Sequence, residues 1–236
     1  ELRTMLGIDR VPDYTTLYRC LRRAGEEELT QLLHETVRRM PPPPDGGTTV
    51  AVDGTGLAPG AISTFFVNRV RDRGAGFTWR PWLKWVVVVD LPRRIILAQA
   101  AKRGPTNDGA TLRPLLEQAR HLTPIRCVLA DGEFDSALNH TFVRQVVGAD
   151  SIIPAKRGKQ TWRLHGIRAQ MRANFPAVPY RQRALVESVF SATKRKLSAR
   201  AAGRSSATQQ AQALLLGIAF NVYRLRLRRH FALLLP

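Results

Sequence analysis

Between Ser151 and Pro236 the chain carries 17 Lys and Arg residues but a single acidic one, Glu187. So many cations repel one another unless a polyanion lies against them, so a carboxylate kept among them reads as one placed beside phosphates. Tyr180, Arg183, Glu187 and Lys194 follow one another at i, i+3, i+7 and i+14. On a regular helix these positions share one stripe about 60° wide, which would present a phenol, a guanidinium, a carboxylate and an ammonium together. The same spacing also describes an ordinary exposed face with one Arg183–Glu187 ion pair, and spacing alone leaves both readings open.

Two further carboxylates stand where strands end. Asp53 follows the β-branched run 48–52, and Asp131 follows the apolar run 125–130. Three consecutive strands followed by two α/β crossovers predict a mixed sheet whose first and fourth strands lie parallel. Both carboxylates then reach the same edge, where their repulsion is relieved chiefly by a cation between them. An all-oxygen ligand set favours Mg²⁺ or Mn²⁺ over zinc. Asp90 ends the antiparallel strand of a hairpin, so it is expected at the opposite edge as a turn residue. Asp108 reads as a helix cap, while Glu133 and Asp135 rival Asp131 by proximity. His34, His121, His140, His165 and His230 show no metal-binding spacing.

The elements that must position these groups follow from pattern and punctuation. Asp13 caps a helix predicted over 14–24, Gly25 ends it, and a second helix is predicted over 26–40, as a helix-turn-helix or as a hairpin packed on the main body. The proline run 41–44 reads as a linker, dividing an N-terminal helical region, 1–44, from a main domain, 45–236. The first strand is expected over 48–52, with Gly54-Thr55-Gly56 turning the chain sharply after Asp53. Strands over 82–91 and 94–101 form a hairpin, and a helix capped by Asn107 or Asp108 reaches 122. A strand over 125–130, a helix over 134–147 and a strand over 150–154 complete an α/β order of βββαβαβ. Residues 155–179 read as basic and irregular, followed by helices over 180–197 and 206–231.

A formal charge of +19 and a pI near 11.4 favour nucleic acid as the partner, ahead of an acidic membrane surface. The 236 residues, 44% of them hydrophobic, can bury a substantial core. With two cysteines far apart, Cys20 and Cys127, neither a disulfide framework nor a zinc cluster can be built, and a reducing, cytoplasmic compartment is expected. The longest apolar runs fall short of the roughly 20 residues a membrane span needs. The chain starts at Glu1 rather than Met, so its natural N-terminus, with any DNA-reading module, is expected further upstream.

Three segments together resemble the DDE transposases of bacterial insertion sequences: Val50-Ala51-Val52-Asp53-Gly54-Thr55, Leu129-Ala130-Asp131-Gly132-Glu133-Phe134-Asp135-Ser136, and Tyr-x2-Arg-x3-Glu-x6-Lys from Tyr180 to Lys194. The resemblance runs from about Thr48 onward and takes in Gly104-Pro105-Thr106-Asn107-Asp108. It implies a ribonuclease H-like five-stranded mixed sheet flanked by helices. It implies Asp53, Asp131 and Glu187 as catalytic residues holding two Mg²⁺ or Mn²⁺ ions, with Tyr180, Arg183 and Lys194 on DNA phosphates. The implied reaction is cleavage at element ends followed by strand transfer into target DNA. The implied assembly is a homodimer on double-stranded DNA in the bacterial nucleoid. The chain departs from the family in having Gly132 and Glu133 where a basic and a small residue are commoner, and in a 155–179 stretch short for members with a large β-insertion. Trp162, an aromatic in that basic stretch, either stacks an extruded base or plugs the loop. A structure-selective nuclease of the same fold and an inactive basic DNA-binding remnant remain as alternatives, and only the second leaves the three carboxylates unexplained.

Overall fold

A computed structural model describes residues 9–58, 82–104, 109–156, 164–203 and 205–232. Two N-terminal helices come first, α1 (Tyr14–Arg23) and α2 (Glu26–Arg38). Asp13 caps α1 by accepting the Thr16 N–H, and Glu28 returns to the Gly25 N–H at the start of α2. The pair packs as a hairpin on the body of the protein, with Leu33, Val37 and Met40 entering its cores.

Five strands follow: β1 (Thr48–Leu57), β2 (Leu83–Asp90), β3 (Ile95–Arg103), β4 (Ile125–Ala130) and β5 (Asp150–Ile152). They form one sheet in the order β3-β2-β1-β4-β5, antiparallel across the first three and parallel from β1 to β5. This is the mixed sheet of a ribonuclease H-like fold, as expected. Helix α3 (Leu112–Arg120) crosses from β3 to β4, and α4 (Ala137–Thr141) continues as a π-helical turn over Phe142–Val147 before β5. Then come α5 (Gly166–Ala173), α6 (Ala177–Tyr180), a 3₁₀ turn over Arg181–Ala184, α7 (Leu185–Lys196) and α8 (Ser206–Ala232).

Several expectations are corrected. β1 does not turn at Gly54-Thr55-Gly56, because β2 pairs with it through Gly54↔Val86 and Gly56↔Lys84 as far as Leu57↔Leu83. Cross-strand hydrogen bonding outweighs the turn propensity of two glycines. The helix expected from Phe134 begins at Ala137, where the Ser136 hydroxyl accepts the Asn139 N–H, and residues 132–134 form a separate 3₁₀ turn. Residues 166–173 and 177–180 are helical rather than irregular, and the helix expected over 180–197 is broken by its first-turn 3₁₀ segment. The candidate caps Asn107 and Asp108 lie outside the described residues.

Each face of the sheet carries its own core, as the period-two alternation of strands requires. On one face Val50, Val52, Val128 and Ala130 pack with Leu112, Leu115 and Leu116 of α3. On the other, Ala51, Trp85, Val87 and Leu129 pack under Val186, Val189 and Phe190 of α7 and under α8. α8 is keyed to the β3 edge by side-chain amides. Asn221 accepts the Ile96 N–H and donates to the Ile96 carbonyl, at 2.9 and 2.8 Å, so it satisfies an edge-strand residue from outside the sheet.

Asp90 does sit in the turn at the far edge, as expected, but it is also a buried anchor. Its carboxylate accepts from the Arg93 backbone N–H and Nε at 2.9 Å each, and Arg93 extends to the Pro41 carbonyl and the Thr123 hydroxyl. Removing one partner of a fully buried pair leaves a charge uncompensated. Asp90→Ala is therefore expected to lower unfolding stability by about 3–5 kcal/mol, read from urea denaturation, whereas a loss below about 1 kcal/mol would mean the pair carries little of the fold.

Candidate active site

The site is built from alternate residues of β1. Ala51 and Leu57 belong to the core under α7, so Asp53 and Thr55, which share their phase, face the same way. The parallel ladder between β1 and β4 closes at Val52↔Ala130, which places Asp53 and Asp131 one residue beyond the same pair. Leu129 lies in that core too, so Asp131 emerges on the α7 side. Asp53, within β1 where its ladder with β4 closes, and Asp131, just past the end of β4, therefore lie on one face, and the Asp131 charge acts on Asp53.

Asp53 is mostly buried. Its Oδ1 accepts the Gly54 N–H at 2.8 Å, and its Oδ2 accepts from Arg183 Nη1 at 2.6 Å. Burial pushes the Asp53 carboxyl above its ordinary value and the Asp131 charge adds to this, outweighing the Gly54 N–H and Arg183, which pull it down. Asp131 Oδ1 accepts the Glu133 N–H at 2.8 Å and caps the short 3₁₀ turn. Glu187, on the first turn of α7, is 68% exposed and lies 3.8 Å from Arg183 Nη2. Arg183 thus joins Asp53 to Glu187.

The rest of the spaced set also converges. Lys194 Nζ donates to Thr55 Oγ1 at 2.6 Å, and burial lowers the Lys194 ammonium below its ordinary value. The Tyr180 ring meets Phe175 edge-on at 4.8 Å and lies 5.7 Å from the Arg183 guanidinium. Burial raises the Tyr180 hydroxyl, and the Asp131 and Asp53 charges reinforce it against Arg183. Although the 3₁₀ turn at 181–184 breaks the regular helix, Arg183 still reaches Asp53, Lys194 reaches Thr55, and Tyr180 and Glu187 lie near Arg183.

The rival carboxylates have other work. Glu133 is 62% exposed and pairs with Lys84 at 3.2 Å. Asp135 is buried and clamps the segment after β5: Arg168 of α5 donates to it twice, at 2.8 and 2.7 Å, and the Lys156 N–H once, at 2.9 Å. His140 is also buried, with Nδ1 2.8 Å from Ser151 Oγ and Nε2 3.6 Å from Asp135. Among the described residues no three His, Cys, Asp or Glu side chains stand together as a ready metal cluster. Asp53, Asp131 and Glu187 nonetheless suit a hard divalent cation, since all their donors are oxygen and two adjoining carboxylates sit on a partly buried floor. Trp162 lies outside the described residues. Sequence reasoning missed Thr55 and the Asp135–Arg168 clamp. Thr55 was legible as the residue two beyond Asp53, had the strand been extended.

The sequence model of the family described as Transposase DDE domain matches residues 44–222. No curated protein sequence matches the chain. One similar solved structure is the Drosophila P element transposase strand transfer complex, at 12% identity and a TM-score of 0.34, with 91% of this chain aligned. The chain spans about half of that protein, 53% of its length.

The Asp135 clamp makes stability depend on pH. Burial raises the Asp135 carboxyl, but His140, Arg168 and the Lys156 N–H overcome this and hold it well below its ordinary value of 3.8. A carboxyl depressed by folding contributes stability in full above its unfolded value and loses it as pH falls toward the folded one. Urea midpoints of the unaltered chain should fall as pH drops below 3.8, while Asp135→Asn should be weaker at neutral pH and flatter through that window. Parallel curves would remove Asp135 as the source.

Proposed function

Because this chain belongs to the transposase DDE domain family, we propose that it cleaves DNA at insertion-sequence ends and transfers the freed strand into target DNA. The observation that supports this reading is the placing of Asp53 and Asp131 on one face where the β1–β4 ladder closes, with Arg183 reaching from Asp53 Oδ2 toward Glu187. Structural framework alone gives no reason to place two carboxylates side by side and to link one of them through an arginine toward a third.

In this reading Asp53, Asp131 and Glu187 hold Mg²⁺ or Mn²⁺, two ions by the family pattern. When bound, such ions make a water or a 3′ hydroxyl more acidic and offset charge on the leaving oxygen. The protein's own groups do the positioning. Arg183 beside Asp53, Lys194 on Thr55 and the Tyr180 hydroxyl take the phosphates flanking the scissile bond. The 17 cations from Ser151 onward supply sequence-independent affinity along the duplex. Lys194, partly stripped of water and held on Thr55, is preset near the floor of the site. Trp162 would stack a base extruded from the duplex. Acting on two ends requires a homodimer on double-stranded DNA, in the cytoplasm at the bacterial nucleoid. Among the described residues no helix is long and apolar enough to cross a membrane.

Incubation with labelled element ends and Mg²⁺ tests the reading. Asp53→Asn, Asp131→Asn and Glu187→Gln are each expected to reduce cleavage at least a hundredfold, about 2.7 kcal/mol of barrier, while DNA affinity changes little. Strand-transfer products are expected with Mg²⁺ or Mn²⁺ and not in excess EDTA. Cleavage without joining would favour a structure-selective nuclease, and full activity in any one variant would remove that residue from the set.

A further inference from the structure

We infer that Arg183 is a displaceable counter-cation: its guanidinium and a divalent ion compete for the same oxygen of Asp53, and a DNA phosphate that draws Arg183 away frees that oxygen. The inference rests on the metal-holding role proposed for Asp53 and Glu187. It goes beyond that role by coupling metal loading to DNA binding.

The geometry carries the argument. Asp53 Oδ1 is engaged by the Gly54 N–H at 2.8 Å, which leaves Oδ2 as the oxygen that faces a cation, and Arg183 Nη1 sits on it at 2.6 Å. The second arm of the same guanidinium, Nη2, reaches toward Glu187 at 3.8 Å. One cation therefore links carboxylates from β1 and α7, the same pair that a metal ion would link. A guanidinium and a metal cannot share one carboxylate oxygen at bonding distance.

Arg183 is also placed to leave. It belongs to the 3₁₀ turn between α6 and α7, and its side chain is 20% exposed, so a phosphate can reach it from solvent. Among the described residues its other neighbours are the Tyr180 ring, 5.7 Å away, and the Asp131 charge, neither of which makes the close two-atom contact that Asp53 makes. A phosphate offers two oxygens of one group to both arms of the planar guanidinium, a match that the offset Asp53–Glu187 contact lacks. Because a charge-assisted hydrogen bond must break before an ion enters, metal affinity without DNA should be depressed roughly tenfold or more. Reciprocity then requires the ion to tighten DNA binding by the factor by which DNA tightens the ion. Such a protein would assemble its metal site where DNA is already in place.

The test is Mn²⁺ binding to the full chain, with free Mn²⁺ read by electron paramagnetic resonance, alone and with a short mixed-sequence duplex, after subtracting a duplex-only titration. The unaltered protein should bind Mn²⁺ about tenfold tighter with the duplex. Arg183→Gln should bind it about tenfold tighter without DNA and show a reduced gain when the duplex is added. Lys194→Gln removes an equal charge that rests on Thr55 rather than on Asp53, so it should shift Mn²⁺ affinity much less. Equal shifts in the two variants would make the effect a general loss of positive field and overturn the inference. An unchanged or weaker affinity in Arg183→Gln would overturn it as well. Should Arg183→Gln unfold by circular dichroism, Arg183→Lys, which keeps the charge but not the two-armed reach, should fall between the two, and no change there overturns the inference. Mn²⁺ binding that survives Asp53→Asn would instead refute the metal-holding role itself.

Discussion

Parallel pairing of β1 with β4 carries Asp53 and Asp131 past the last bonded pair of the ladder, Val52↔Ala130, and so places two carboxylates together on one face of the sheet. Burial and mutual repulsion both disfavour the charged form of Asp53, and positive charge nearby is what offsets them. Arg183 answers that demand from within the chain, through its 2.6 Å contact with Asp53 Oδ2. Charge balance at this edge links the fold to the proposed chemistry.

The helix that brings Arg183 and Glu187 must be held at a fixed height above the sheet, and apolar packing sets that height. Phe190 of α7 lies 5.7 Å from the Trp85 ring on β2, and Val186 and Val189 bury beside it. Trp85 is in turn fixed by its indole N–H, which donates to Gln99 at 3.0 Å, while Gln99 donates to the Leu214 carbonyl of α8 at 2.7 Å. Gly217 lets α8 approach this amide, since any side chain there would collide with Gln99. The far edge is pinned separately by Asp90 and Arg93. Two buried polar links and one aromatic contact thus brace the frame on which the exposed carboxylate, Glu187, is carried.

The topology was legible because it depends on long-range logic that short patterns reveal: hairpin residues at 91–94, apolar runs bounded by turn signals, and crossover helices of the right length. Asp131 was legible as a strand end and the Tyr180–Lys194 set as a helical spacing, both local properties, whereas Asp53 was reached from a strand end that β1 passes on its way to Leu57. What could not be read depended on partners distant in sequence. Gly54 and Gly56 stay extended because β2 pairs with them, and nothing local to β1 records that. Asp135 resembled a ligand candidate until Arg168, 33 residues away, claimed its carboxylate. The helices between Gly166 and Tyr180 bury little apart from Met171, so they lack the strong apolar period that marks α3.

On the proposed function, a divalent cation is held between Asp53, Asp131 and Glu187 when DNA is bound. That placement is tested most directly by replacing Mg²⁺ with Fe²⁺ in the DNA complex and starting hydroxyl-radical cleavage with ascorbate and peroxide, so that the metal cuts the backbone beside its own ligands. Breaks are expected to cluster at residues 53, 131 and 187, all suppressed by excess Mg²⁺. Breaks at other positions, or a pattern that lacks the Glu187 segment, would contradict it.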